Sequence, residues 1–256
     1  MKIGIRQKIL YHLKFNRLNL CKTIYLNFKL FPFSQAVKLP VLIYGDFSCN
    51  IHKEGKLQIG SPVRRGMVRI GASDPFRSYG EKTFIELIGE ISFGEGCIIR
   101  RGTRIYVAED ASLNLAENSF ISDNTVIACK KEISIGKNTI IGNNCNIMDT
   151  DFHYVLNKTT GEIPDNTSPV KIGDNNWISG FCTVKKGART PEGIILAGPY
   201  SMIGKNYIGT VAPNSLMAGC PAKVIRENVE PVNDRNLEKK LSEYYSQDNT
   251  TFIVKP

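Results

Sequence analysis

Aliphatic residues recur at every sixth position along two stretches of the chain. Ile172, Ile178, Val184, Thr190, Leu196 and Met202 keep the step without a slip, with threonine standing once for an aliphatic. Upstream, Leu115, Ile121 and Ile127 keep it, and so do Ile135, Ile141 and Ile147. Small or polar residues lie four places on at Ser119, Thr125, Thr139, Cys145, Asn176, Cys182 and Ala188. Neither a helix nor simple strand alternation sustains a period of six. Such a repeat predicts a solenoid. One hexad supplies a short strand and a corner, its aliphatic pointing inward and the residue four on fitting near the bend. Three hexads close a triangular coil, and stacked coils pair edge to edge at about 4.8 Å. One coil cannot bury its apolar face alone, so stability comes from the stack.

The pattern divides the chain into an arm at 1–39, a repeat body at 40–227 and a tail at 228–256. Ile5, Ile9, Leu10 and Leu13, set among Arg6, Lys8 and Lys14, predict a short basic amphipathic helix within 1–20. Ile24, Leu26, Phe28 and Leu30 alternate and predict a strand. Val41 to Ile43, Phe47 to Ile51 and Leu57 to Ile59 read as irregular first turns of the body, and 61–82 as a loop or distorted coil. Regular hexads begin at Phe93, Ile99 and Ile105. They break briefly at 108–112 and 129–132, where one coil hands over to the next, and widely at 149–170. A loop of that length in a compact body is usually functional. In the tail, Leu237, Leu241 and Tyr244 predict a short surface helix over 236–245.

Charge changes the picture of the arm. The chain of 256 residues carries a net charge of +9. Eight of these charges come from Lys2, Arg6, Lys8, Lys14, Arg17, Lys22, Lys29 and Lys38, within a segment, 1–45, that has no acid. No run in the arm is long or apolar enough for a membrane span or a signal-peptide core, so the expected location is cytoplasmic. Two readings of the arm stay open. It contacts an anionic membrane, peripherally at the inner face, or it packs on the body with a solvated basic face. No nucleic-acid-binding module is visible, and no nucleic-acid partner is expected. The seven cysteines show no CxxC and read as reduced thiols.

Two further stretches carry chemistry. One runs Ile147-Met148-Asp149-Thr150-Asp151-Phe152-His153 and opens the long loop. The other runs Ala218-Gly219-Cys220-Pro221-Ala222-Lys223-Val224-Ile225-Arg226. With the hexads, they make residues 40–227 resemble the hexapeptide-repeat acyltransferases, and in particular the sugar O-acetyltransferases of polysaccharide and O-antigen biosynthesis. Cys220 stands where that family usually has Asn.

The resemblance implies an all-β fold, a left-handed parallel β-helix of hexapeptide repeats, assembled as a homotrimer whose neighbouring subunits complete each site. It implies acetyl-CoA as donor and a sugar or glycan hydroxyl as acceptor. His153 matches the family's general base. A hydroxyl needs such help, a group with the ordinary imidazole pKa of about 6.5 can give it, and proton transfer of this kind is worth about 10²–10⁴-fold. Asp151 or Asp149 would hold the ring tautomer. Direct transfer needs no covalent intermediate, and Cys145 falls at an inward hexad position.

CoA would lie in a groove, its amides near Gly180 and Gly198 and its phosphates at Arg226 with Lys205 or Lys223, although a lone lysine also reads as solvated surface. Trp177 would wall the site or pack against a neighbouring subunit. Asn124 matches an acceptor-binding asparagine, although asparagines also serve hexad corners for turn reasons alone. No metal is expected, since only His153 is placed to serve as a ligand. Two alternatives remain, an N-acyltransferase acting on an amino sugar nucleotide and a non-catalytic β-helix scaffold or CoA-binding protein.

Overall fold

The computed structural model describes residues 17–72, 81–232, 235–247 and 250–254. The predicted basic helix lies outside the described residues except for its last four positions. The hexads form three sheets. The first has nine strands, from Val41–Ile43 (β1) to Ala222–Arg226, the second has seven, and the third has five. All pairings between coils are parallel, and only the last two strands of the first sheet, Leu216–Gly219 and Ala222–Arg226, return antiparallel as a hairpin. The result is the expected parallel β-helix of hexapeptide repeats.

The inward aliphatics stack by register. On the first sheet Ile43, Ile70, Ile99, Ile121, Ile141, Ile178, Leu196 and Met217 form one buried column. Ser119, Thr125, Thr139 and Cys145, four places after their aliphatics, are buried as expected. At six corners a left-handed residue falls three places after the aliphatic, at Asn118, Asn124, Asn138, Asn144, Asn175 and Phe181. Asparagine tolerates this conformation better than other residues with a Cβ. At one corner the side chains also ladder, Asn118 to Asn138 and Asn138 to Asn175 at 3.1 Å each.

The N-terminal end departs from the sequence expectation. Residues 24–30 are not a strand but part of a helix, α1, Leu20–Leu30, followed by a short helix, α2, Phe33–Ala36. Asn19 caps α1 by accepting from the Lys22 N–H at 3.1 Å. The alternation of Ile24, Leu26, Phe28 and Leu30 was coincidental, for Leu26 is buried while Ile24 and Phe28 are exposed. Tertiary packing overrides the local pattern, because α1 covers β1, the open edge of the first sheet. Asn27 accepts from the Val41 N–H at 3.1 Å and donates to its carbonyl at 2.7 Å, and the Thr23 hydroxyl accepts from Ile43 N–H at 3.0 Å. Uncovered edges invite pairing with other chains, and these buried side chains satisfy this one. Asn27→Leu, which strands both groups of Val41, is expected to lower stability by about 3 kcal/mol in a urea titration.

The segment 61–82 is not wholly irregular. It contains a strand, Val68–Ala72, which continues the first sheet. The predicted tail helix is present at Arg235–Tyr245.

Candidate active site

Three breaks in the hexads, at 108–111, 130–131 and 149–169, fall at one corner, between the second and third sheets. The long loop is thus an enlarged version of inserts that neighbouring coils carry at the same place. Its base is tied by Asp151 N–H to the Asn166 carbonyl at 2.8 Å and Ser168 N–H to the Asp149 carbonyl at 2.8 Å. Asp165 clamps the returning arm, accepting from the Thr167 N–H and hydroxyl at 2.8 Å each, and these bonds with Lys131 hold its carboxyl down to about 2. From this fixed base Phe152, Tyr154, Val155, Leu156 and Ile163 project into solvent.

His153 is exposed at the start of the loop. Phe152 before it takes a left-handed conformation, φ 62°, which costs a residue with a Cβ about 1–2 kcal/mol. Three contacts hold it there. Thr150 Oγ1 accepts from the Phe152 N–H at 2.9 Å, the Asp151 carbonyl accepts from the His153 N–H at 2.7 Å, and Lys130 Nζ lies 5.5 Å from the Phe152 ring centre.

The carboxylates of the two aspartates expected to orient the imidazole have partners on other coils. Asp149 is fully buried. Its carboxylate accepts from three consecutive backbone N–H groups, of Lys130, Lys131 and Glu132, at 2.8, 2.7 and 2.8 Å. It fixes the corner of the preceding coil. Asp151 pairs with Lys186 at 2.8 Å and Lys185 at 3.4 Å, and the bond from Lys186 leads in holding its carboxyl below the usual range.

Trp177, Gly180 and Gly198 come together elsewhere. They line a groove of about 630 Å³ over the first sheet and its corner with the second, with Gly142, Phe181 and Tyr200. The corner is bare because the coils leave no room for a side chain. A Cβ on Gly142 would stand 2.5 Å from the Gly180 nitrogen, and one on Gly198 would stand 2.4 Å from the Gly180 carbonyl oxygen. Phe181 and Tyr200 pair across it, ring centres 6.2 Å apart.

The outward positions of this sheet are apolar in register, Ile98, Phe120, Ile140, Trp177, Ile195 and Leu216, and the column ends on Arg226. Arg226 stands three strands beyond Trp177, about 14 Å at normal strand spacing. Lys223 is exposed on the same hairpin strand. Lys205 stands apart, its Nζ 5.4 Å from the Tyr207 ring centre. Neither His153 nor Asn124 lines the groove. Asn124 is one of the left-handed corner residues, φ 58°.

Sequence reasoning missed Phe181, Tyr200 and the apolar outer column. The signal was present. From Ile98 to Leu216 on this sheet the residue before each inward aliphatic is itself apolar, whereas on the third sheet Ser92, Asn114, Ser134 and Lys171 stand before the inward Phe93, Leu115, Ile135 and Ile172.

Cys97, Cys129, Cys145 and Cys182 are buried in the core, and Cys49 packs against it. Burial pushes the thiols of Cys129 and Cys145 up to about 12 and that of Cys97 to about 11, which disfavours thiolate at neutral pH. Cys21 and Cys220 are exposed. A thiol-specific colorimetric reagent at neutral pH is therefore expected to modify these two rapidly in the native protein, and the other five only after denaturation.

The fold and the repeat define the class, a hexapeptide-repeat β-helix protein that resembles sugar O-acetyltransferases. No established family model matches the chain. It is 29% identical over 144 residues to the galactoside O-acetyltransferase of Escherichia coli, matching 55% of this chain and 64% of that relative, so that it spans less than two thirds of the relative's length. It is 26% identical over 154 residues to the putative lipopolysaccharide biosynthesis O-acetyl transferase WbbJ of Escherichia coli, matching 56% of this chain and 75% of that one. Among solved structures, the polySia specific acetyltransferase NeuO aligns with a TM-score of 0.49 at 14% identity, over 80% of this chain and 99% of that one.

Proposed function

We propose that the chain is an acetyltransferase that moves an acetyl group from acetyl-CoA to a hydroxyl of a sugar or glycan precursor. The observation that carries this is one repeat body bearing both an exposed histidine on a tied corner loop and a bare-cornered apolar groove that ends on an arginine. In this reading the groove takes the pantetheine arm, with Trp177 and the bare backbone at Gly180 and Gly198 against it. Arg226, with Lys223, meets the phosphates, because fixed cations suit them.

His153 takes the proton of the acceptor hydroxyl as that oxygen attacks the thioester carbonyl. The new C–O bond forms, the C–S bond breaks, and the CoA thiolate leaves, taking up the proton. A backbone N–H at a coil corner would meet the oxyanion. Asp151 acts as a positioning residue through the His153 backbone and the two lysines.

His153 and the groove stand at different corners of one chain. The reading therefore includes a homotrimer in which the loop of one copy reaches the groove of the next, covering its exposed apolar side chains. Asn124 keeps a corner role. The reading also places the protein in the cytoplasm, and among the described residues no helix is long and apolar enough to cross a membrane.

Titration calorimetry with acetyl-CoA tests the donor assignment. The wild-type protein is expected to bind, and Trp177→Ala, at a side chain 42% exposed, is expected to weaken binding about tenfold, or about 1.4 kcal/mol, at an unchanged melting temperature. Absence of acetyl-CoA binding by the wild-type protein would overturn the enzyme reading.

A further inference from the structure

The capping helices bury polar side chains and expose apolar ones. α1 turns Thr23, Leu26 and Asn27 onto the sheet edge. On its other side Leu20, Ile24 and Phe28, at successive intervals of four, are 53%, 44% and 46% exposed. Phe33 of α2, 75% exposed, meets Phe28 edge-on with ring centres 6.0 Å apart. Tyr25 flanks the stripe, and Lys29 Nζ sits 3.3 Å from its hydroxyl and 5.7 Å from its ring centre. Isolated exposed apolar side chains are ordinary, but a stripe continued by a second helix marks an interaction site.

The charge around the stripe selects the partner. Arg17, Lys22, Lys29 and Lys38 flank it along the chain and no acid occurs before Asp46, which lies beside Leu20 and pairs with Arg101. A second copy would bring the same cations to the contact. Residues 1–16 would bring four more, Lys2, Arg6, Lys8 and Lys14, and no acid. Both candidates from this chain are therefore like-charged, and like charges across an interface disfavour it. An anionic bilayer supplies what is missing, acyl chains for an aliphatic and aromatic stripe and headgroup charge for the lysines beside it. Aliphatic, aromatic and lysine residues in this arrangement suit a helix lying in the membrane interface.

We propose that the N-terminal end of the β-helix docks on an anionic lipid surface, with α1 in the interface plane and Phe28 and Phe33 inserted. This docking stands apart from the acyl-transfer reading and uses a face distinct from the groove.

Vesicle flotation with the full-length protein tests it. Binding is expected to phosphatidylcholine vesicles that contain phosphatidylserine, to be weak on phosphatidylcholine alone, and to fall as salt rises. Two double variants separate the contributions. Phe28→Asp with Phe33→Asp is expected to abolish binding, and Lys22→Glu with Lys38→Glu to weaken it about tenfold or more, each with an unchanged thermal melt because all four side chains are exposed. Three results would overturn the proposal: no preference for the anionic vesicles, binding undiminished by the phenylalanine pair, or self-association through this face without vesicle binding. Acetyl-CoA calorimetry on the same samples reports on the enzyme reading separately.

Discussion

His153→Ala is expected to lower acetyl transfer to a sugar acceptor by about 10²–10⁴-fold, the range for loss of a general base, and to leave acetyl-CoA affinity and the thermal melt unchanged. Each part follows from position. The ring is exposed on a loop, so its removal opens no cavity. It lies outside the groove assigned to the donor, so the donor still binds. The loss therefore belongs to the proton transfer. Because the step changes and donor binding does not, the effect should appear in kcat and kcat/KM alike. Steady-state kinetics with calorimetry on the same variant makes the check. Undiminished transfer would remove His153 from the mechanism, and a parallel loss of folding would assign it a structural role.

Asp149→Ala is expected to be the most destabilising single change at the site, by about 4 kcal/mol in a urea or thermal titration. Its carboxylate is fully buried and answers three backbone N–H groups of the neighbouring coil. Hydrogen bonds to charged groups contribute about 1.5–3 kcal/mol each, and stranded buried donors add their desolvation cost. Partial relaxation of the 130–132 corner, which lies near the surface, brings the sum down to the figure given.

Asp151→Ala should behave differently. That side chain is partly exposed and pairs with lysines on the surface, where ion pairs contribute about 1 kcal/mol or less. Its small contribution carries a sign. The Lys186 and Lys185 ammonium groups hold the folded carboxyl below its ordinary value of 3.8, so the contribution is complete above that value and is lost as pH falls through the lowered one. Equal stability losses in the two alanine variants would contradict the division of roles between them.

These two aspartates also mark how far the sequence could be read. The hexad period identified the inward aliphatics as far as Leu196, the stacking and the corner that carries the long loop, because each depends on local spacing; beyond Leu196 an extra residue in the corner turns Ile203 inward in place of the expected Met202. The period placed Asp149 and Asp151 beside His153 in the chain, and they are neighbours there. What sets the partners of Asp149 is the preceding coil, whose backbone at 130–132 donates to it across about eighteen positions, a contact that no local pattern contains. The same limit applied to 24–30. Alternation suggested a strand, while the partner that decides the matter, the edge of β1, lies some fourteen residues on and needs the polar side chains of Thr23 and Asn27. The apolar outer column was legible as paired apolar residues, at Phe120 and Ile121, at Ile140 and Ile141, and at Trp177 and Ile178. Its meaning as a groove required knowing that the glycines at 142, 180 and 198 stack on one corner.

The central claim is O-acetyl transfer from acetyl-CoA to a sugar hydroxyl. Incubating the full-length protein with acetyl-radiolabelled acetyl-CoA and a panel of neutral, acidic and amino sugars, then treating the products with hydroxylamine, tests it most directly. The expected result is label on a hydroxyl-bearing acceptor that hydroxylamine releases, as an ester must. Label that resists hydroxylamine would identify an amide and an amino-sugar acceptor instead. Failure to label any sugar, with acetyl-CoA left intact, would contradict the claim outright.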